Sequence, residues 1–309
     1  MARIVAGHAG SSGCGAASSS ARACAKLVKA RGWLASRDTA AAAHAALARH
    51  VDLTRFEDAR TDVGGMSIYF KSARAPERDA LTIVLVHGLG LSCRYMLPTA
   101  QALLGDYHLL APDLPGFGDS TKPDRVLTID ELADSLAAWI VKLKLQPVLL
   151  GNSLACQIIA AAMDRHPAIA AAAILQGPTT PPKERSIFWQ LIRWRQNLGY
   201  DPSDMKAISR DDYVKCGRRR VWMTFLHGLR DAMEKRLSRI GQPVLVVRGE
   251  LDPICRREWA RTIAERLPRG SFAEIPGVAH TLVFTAPAPL AEVSRKFLDG
   301  GALPSKLIP

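Results

Sequence analysis

Several absences narrow what this 309-residue chain can be. No stretch approaches the roughly 18 consecutive apolar residues of a membrane-spanning helix, so the chain is expected to fold in water. The six cysteines (Cys14, Cys24, Cys93, Cys156, Cys216 and Cys255) contain no CxxC pair and no regular spacing. That excludes a zinc signature and a small disulfide scaffold, and makes free thiols in a reducing, cytoplasmic compartment the expectation. No internal repeat is present. Acidic residues are missing from the first 37 positions, which are rich in Ala, Ser, Gly and Arg. This composition is like that of an organelle transit peptide, but without a continuous apolar core a secretory signal is not expected. Residues 1–55 are read as a basic, disordered extension, with organelle targeting and an over-long start as alternatives.

What is present looks globular. The chain is 48% hydrophobic and 23% charged, with a net charge of +12. The charge is uneven. Residues 1–55 hold eight Lys/Arg against two Asp, and residues 180–240 hold fourteen Lys/Arg against seven Asp/Glu. The rest is close to neutral. A nucleic-acid-binding face would be more uniform, so no nucleic-acid partner is expected. Contact of residues 1–55 or 180–240 with an anionic membrane surface is one use of the charge; a solvated surface is the plainer one.

From residue 56 onward, apolar runs alternate with helical patterns. RTDVGGMSIYFKSA reads as a hairpin turned on Gly-Gly. TIVLVHGLG, YHLLAPDLPGFGDS, PVLLGNS, IAAAAILQG, PVLVVRGELD and SFAEIPGVAH read as strands with loops at their carboxyl ends. Between them lie RYMLPTAQALL, TIDELADSLAAWIVKL, LACQIIAAAMDRH, CRREWARTIAERL and APLAEVSRKFL, read as helices. Thr128 and Glu131 have capping-box spacing. Strands that are apolar throughout predict an α/β fold: a mostly parallel central sheet with helices on both faces. Residues 180–240 break the rhythm. They read as helices only, with Leu226, Leu229, Met233, Leu237 and Ile240 in one amphipathic stripe. They form a helical cap inserted between two strands of a core made of residues 56–179 and 241–309. Such an insertion sits over the carboxyl ends of the strands, where ligands bind in open α/β sheets.

Three strand-end loops hold Ser153, Asp252 and His280. A hydroxyl is a weak nucleophile until a base takes its proton, and histidine titrates in the right range. A carboxylate fixes the imidazole tautomer and stabilises the imidazolium. In GNSLA the small Gly151 and Ala155 flank Ser153, as a sharp strand-to-helix turn needs. The Leu154 amide, opening a helix, and the Leu89 amide, in HGLG, are the expected oxyanion donors. The alternatives are an inert turn serine, an Asp-Pro turn and a loop histidine. Asp119 is better read as part of a structural turn, and His87 as shaping its loop.

HGLG at 87–90, DLPGFGDS at 113–120, GNSLA at 151–155, GELDP at 249–253 and GVAH at 277–280, in this order, resemble the α/β-hydrolase family over about residues 65–300. The resemblance implies Ser153 as nucleophile, Asp252 as orienting acid and His280 as base, with no metal and no organic cofactor. One departure is Ala155, where the family's G-x-S-x-G ends in glycine. The resemblance points to a carboxylesterase-like hydrolase acting on an ester or related acyl bond of a mostly apolar small molecule. The Gly-Asn-Ser stretch is similar to C–C hydrolases of ring-cleavage products, but those follow the histidine with tryptophan where this chain has Thr281. A non-catalytic ligand-binding protein on the same fold is the alternative of another class. Arg94, Tyr95, Trp189, Trp222 and His227 are the candidate substrate-binding residues. Phe188, Trp194 and Phe225 are further candidates for an apolar pocket.

Overall fold

Gly64 and Gly65 take φ of 56° and 79°, a region open to glycine and unfavourable for most side chains, and the chain reverses on them. In the computed structural model, which describes residues 37–302, the flanking strands β1 (Glu57–Val63) and β2 (Met66–Ala73) pair antiparallel. The acid-free segment of residues 1–36, with Cys14 and Cys24, lies outside the described residues. The hairpin is the edge of an eight-stranded sheet. Its other strands are β3 (Thr82–Val86), β4 (His108–Pro112), β5 (Val148–Asn152), β6 (Ala172–Gln176), β7 (Val244–Gly249) and β8 (Gly270–Ile275). The order is β1-β2-β4-β3-β5-β6-β7-β8, and all pairings beyond β2–β4 are parallel.

Successive side chains of a strand point to opposite faces. Val84, Val86, Leu149, Leu175 and Val246 enter one buried cluster, and Ile83, Leu85, Leu150, Ile174 and Val247 enter the other. Both faces are covered, which is why the strands read as unbroken apolar runs. The second face is covered by α1 (Arg37–Ala48), α2 (Leu97–Leu103) and α9 (Pro287–Phe297). The first is covered by α3 (Ile129–Lys142), α4 (Leu154–Arg165) and α8 (Arg257–Arg266). The Thr128–Glu131 capping box opens α3: the Glu131 amide donates to Thr128 Oγ1 at 3.3 Å, and the Thr128 amide donates to the Glu131 carboxylate at 2.9 Å.

Between β6 and β7 lie α5 (Ile187–Asn197), α6 (Ser203–Cys216) and α7 (Arg218–Arg230). Two expectations need correcting here. The stripe from Leu226 to Ile240 is not one helix. Helix α7 ends at Arg230, and Met233, Leu237 and Ile240 are buried from short 3₁₀ turns and the chain that follows them. Spacing of three and four fits a 3₁₀ turn as well as an α-helix over so short a run. Order also begins before residue 56. In α1, Ala43, Ala46 and Leu47 are fully buried in the same cluster as Met205 and Ile208 of α6. Arg49 and His50 just beyond it bond Asp204. An alanine-rich composition looks featureless, yet alanine is the best helix former, and its small side chain lets helices approach closely.

Candidate active site

Ser153 lies between β5 and α4 with φ 60° and ψ −119°. A non-glycine residue held there costs on the order of 1–3 kcal/mol, so the surrounding structure must impose it. The neighbours show how. A Cβ on Gly151 would sit 2.5 Å from Ile159 Cδ1 and 3.2 Å from Ala155 Cβ. The turn is closed tightly enough that a side chain at 151 would have to displace the end of Ile159, and the alanine at 155 fits because its partner has no side chain. The Ser153 amide donates to the Gln176 carbonyl at 2.9 Å, tying the turn to the end of β6.

Asp252, after β7, is fully buried. Its Oδ1 accepts the amides of Ile254 and Cys255, each at 2.8 Å. Its Oδ2 lies 2.8 Å from His280 Nδ1. An acceptor-only carboxylate on Nδ1 puts the ring proton there. His280 Nε2 is then the basic nitrogen, and it is buried with no hydrogen-bond partner. Gly177, at φ 59°, lies against the ring: a Cβ there would be 3.0 Å from His280 Nδ1. The Asp252 loop is clamped from beneath by Arg248, whose guanidinium donates to the carbonyls of Cys255 (2.9 Å), Glu250 (3.1 Å) and Asp252 (3.2 Å).

Of the two amides named for the oxyanion, that of Leu154 follows Ser153 in the chain, and that of Leu89 follows Gly88 in the HGLG loop. Leu154 opens α4, so its N–H has no carbonyl partner within the helix. The HGLG loop comes within contact of the turn, since a Cβ on Gly88 would lie 3.1 Å from Asn152 Oδ1 and 3.5 Å from Ser153 Cβ. His87 holds that loop. Its Nε2 accepts the Leu114 amide at 3.0 Å and its Nδ1 is 2.9 Å from the Gly88 carbonyl, so it is neutral, and burial lowers its pKa further. Asp119 takes no part in the pair; its amide donates to Asp113 at 2.7 Å while its side chain is half exposed. Cys156 is buried, and burial pushes its thiol well up, which leaves it inert.

The substrate-binding candidates fare differently. Arg94 is bound to Asp211 and Asp212 of α6, so its charge is already engaged. Tyr95 is core, 1% exposed and stacked 6.2 Å from Phe284. Trp189 is 42% exposed, with the Arg193 guanidinium over its ring at 5.7 Å. Trp222 is half-buried on α7, with its ring 5.6 Å from Phe225. His227 Nδ1 is 3.0 Å from the Leu127 carbonyl, and the residue lines an open cavity of about 620 Å³ together with Asp130, Arg165 and Arg236. None of Ser153, Asp252 and His280 lines that cavity.

Other residues, not anticipated, hold the histidine. The His280 carbonyl accepts from Gln176 Nε2 at 3.1 Å and Asn152 Nδ2 at 3.4 Å. Its amide donates to Asn197 Oδ1 at 3.2 Å, at the end of α5. Asp201 accepts from Asn197 Nδ2 and Thr281 Oγ1, each at 3.0 Å. A buried glutamine closing the all-apolar strand IAAAAILQ was the available signal; nothing local marks Asn197.

Arg94 instead joins the body to the insertion. Asp212 is buried and also accepts the Ser92 amide (2.9 Å) and hydroxyl (2.8 Å). Burial pushes Asp212 up to about 6 against the pull of Arg94. Arg94→Ala would leave Asp212 with only the Ser92 donors. Removing one partner of a buried pair costs about 3–5 kcal/mol. The expected result is a Tm lower by roughly 10 °C in thermal unfolding; an unchanged Tm would mean the cluster contributes nothing net.

Among the described residues, no group of three or more His, Cys, Asp and Glu is arranged to hold a metal, and no helix is long and apolar enough to cross a membrane. A model of the alpha/beta hydrolase family matches residues 83–293. A poly(3-hydroxyalkanoate) depolymerase of Ectopseudomonas oleovorans is 25% identical over 252 residues, covering 74% of this chain and 88% of that one. Lipase 3 of a Moraxella species is 23% identical over 283 residues, covering 80% and 89%. The solved structure of a membrane phospholipase A superposes with a TM-score of 0.73 at 22% identity, covering 91% of this chain and 96% of that one.

Proposed function

The chain belongs to the alpha/beta hydrolase family, and we propose that it is a serine hydrolase cleaving a carboxylic ester or related acyl bond of a mostly apolar small molecule through an acyl-enzyme. The observation that carries this reading is the state of His280: Nδ1 on Asp252 at 2.8 Å, and Nε2 buried with no hydrogen-bond partner among the described residues, Ser153 included. In the reaction Ser153 Oγ bonds to the substrate carbonyl carbon while its proton passes to Nε2. The carbonyl oxygen becomes an oxyanion held by the amides of Leu89 and Leu154. As the intermediate collapses, His280 returns the proton to the leaving alkoxide. A water then repeats both steps on the acyl-serine and releases the acid. Relatives named as a polyester depolymerase and a lipase support the ester as the bond.

The residues between β6 and β7 act as a cap over this site. Gly228 of α7 lies against Leu154 and Gln157, where a Cβ would be 2.4 Å from Leu154 Cδ1. The insertion thus covers the oxyanion side. The test is a series of p-nitrophenyl esters from acetate to laurate. Turnover with an optimum at one chain length is expected, because an apolar pocket of fixed depth gains with each methylene until it is full. If no ester is turned over but a fluorophosphonate still labels Ser153, the bond is a different one, and lactones and ring-cleavage products come next. If neither occurs, the serine-hydrolase reading fails.

A further inference from the structure

Helix α5 is built inside out. Its buried residues are polar, Gln190 and Asn197. Its aromatic residues are exposed: Phe188 67%, Trp189 42% and Trp194 43%, followed by Tyr200 at 51%. At about 100° per residue, Phe188, Leu191, Ile192 and Arg195 share the face opposite Gln190 and Asn197. An ordinary surface helix has the reverse polarity. The inward polar groups are satisfied: Gln190 Nε2 donates to the Glu184 carbonyl at 3.0 Å, and Asn197 bonds His280 and Asp201. Among the described residues, the outward face carries exposed Phe188 and Arg195 with half-buried Leu191 and Ile192 between them, and Trp189 and Trp194 stand on its flanks.

The charge around it points to the occupant. Residues 185–200 contain three arginines and no Asp or Glu. Arg185 and Arg193 pair with Glu234 and Glu184, whereas Arg195 on the apolar face and Lys183 before the helix are exposed. Phe, Trp and Tyr beside basic residues are the side chains that settle at a lipid–water boundary, with rings at headgroup depth and cations on phosphate. A protein partner fits less well. A stable protein interface buries about 1,600 Å² in total, more than one ridge of three turns offers. We propose that the outer face of α5 is a docking surface for an anionic lipid bilayer.

The test is co-sedimentation of the full chain with vesicles of phosphatidylcholine alone and with added phosphatidylglycerol. Binding is expected to the anionic vesicles at low salt, to weaken as salt rises, and to be slight on the neutral ones. Phe188→Ser combined with Trp189→Ser should lower the partition coefficient at least about tenfold, since burying either ring is worth a factor of that order. An unchanged thermal transition reports that this variant is folded. Arg195→Glu should weaken binding to anionic vesicles only. The proposal is overturned if wild type stays in the supernatant at low salt, or if both variants sediment as wild type does. It is also overturned if wild type binds no vesicles and is a dimer that the double variant converts to monomer, for then the face joins two copies. Vesicle binding needs no turnover, so this result is independent of the ester reading.

Discussion

Replacing Ser153 by alanine is expected to lower kcat on p-nitrophenyl esters by about 10⁵- to 10⁶-fold, the loss seen when the nucleophile of such a constellation is removed. The fold should survive, because alanine meets the same backbone demand at φ 60° with less bulk. Fluorophosphonate labelling should disappear with activity. Ser153→Gly separates the two roles of the position. It removes the nucleophile as alanine does, yet glycine adopts this conformation without strain. Relief of strain less the added chain entropy gives an expected gain of about 1 kcal/mol in stability. A variant that is inactive and more stable than wild type would identify the turn as strained for the sake of the hydroxyl. Wild-type activity in Ser153→Ala would remove Ser153 from the chemistry altogether.

Asp252→Asn is expected to cost about 10⁴-fold in kcat, with the fold again intact. The reason is in the hydrogen bonds. Oδ1 accepts the amides of Ile254 and Cys255, and no N–H can replace an acceptor there. The asparagine must keep its oxygen on those amides and turn its NH₂ toward His280 Nδ1. The ring is then obliged to accept at Nδ1 and carry its proton on Nε2, the nitrogen that has to be the base. Shape is preserved and the tautomer is wrong. A loss of only a few-fold would mean that the carboxylate merely packs against the ring. Aggregation in place of folded, slow enzyme would assign Asp252 to the loop it caps.

The candidate residues could be named from sequence because each stands where a run of apolar residues stops: Ser153 after PVLLGN, Asp252 after PVLVVRGEL, His280 in the loop after SFAEI. In a parallel sheet buried on both faces such ends are few, and they all point to one edge. Thr128 and Glu131 were legible for a similar reason, since a capping box is a contact between near neighbours. What escaped detection depends on contacts far apart in sequence. Arg94 reads from sequence as a candidate substrate-binding residue just after the HGLG loop, and only the fold shows Asp212, 118 positions later, meeting it. Asn197 acts on a backbone amide 83 positions away, a partner with no side-chain identity to recognise. Alanines at 43 and 46 carry burial that no hydrophobic pattern displays.

The peptide group of His280 is held from two sides. Its carbonyl is held by Asn152 and Gln176 of the sheet, and its amide by Asn197 at the end of α5. Raising the α5–α6 corner would slacken one end of that tether and leave the imidazole oriented from below alone. A displacement of Asn197 would therefore be felt first in the backbone of His280, and not in its ring.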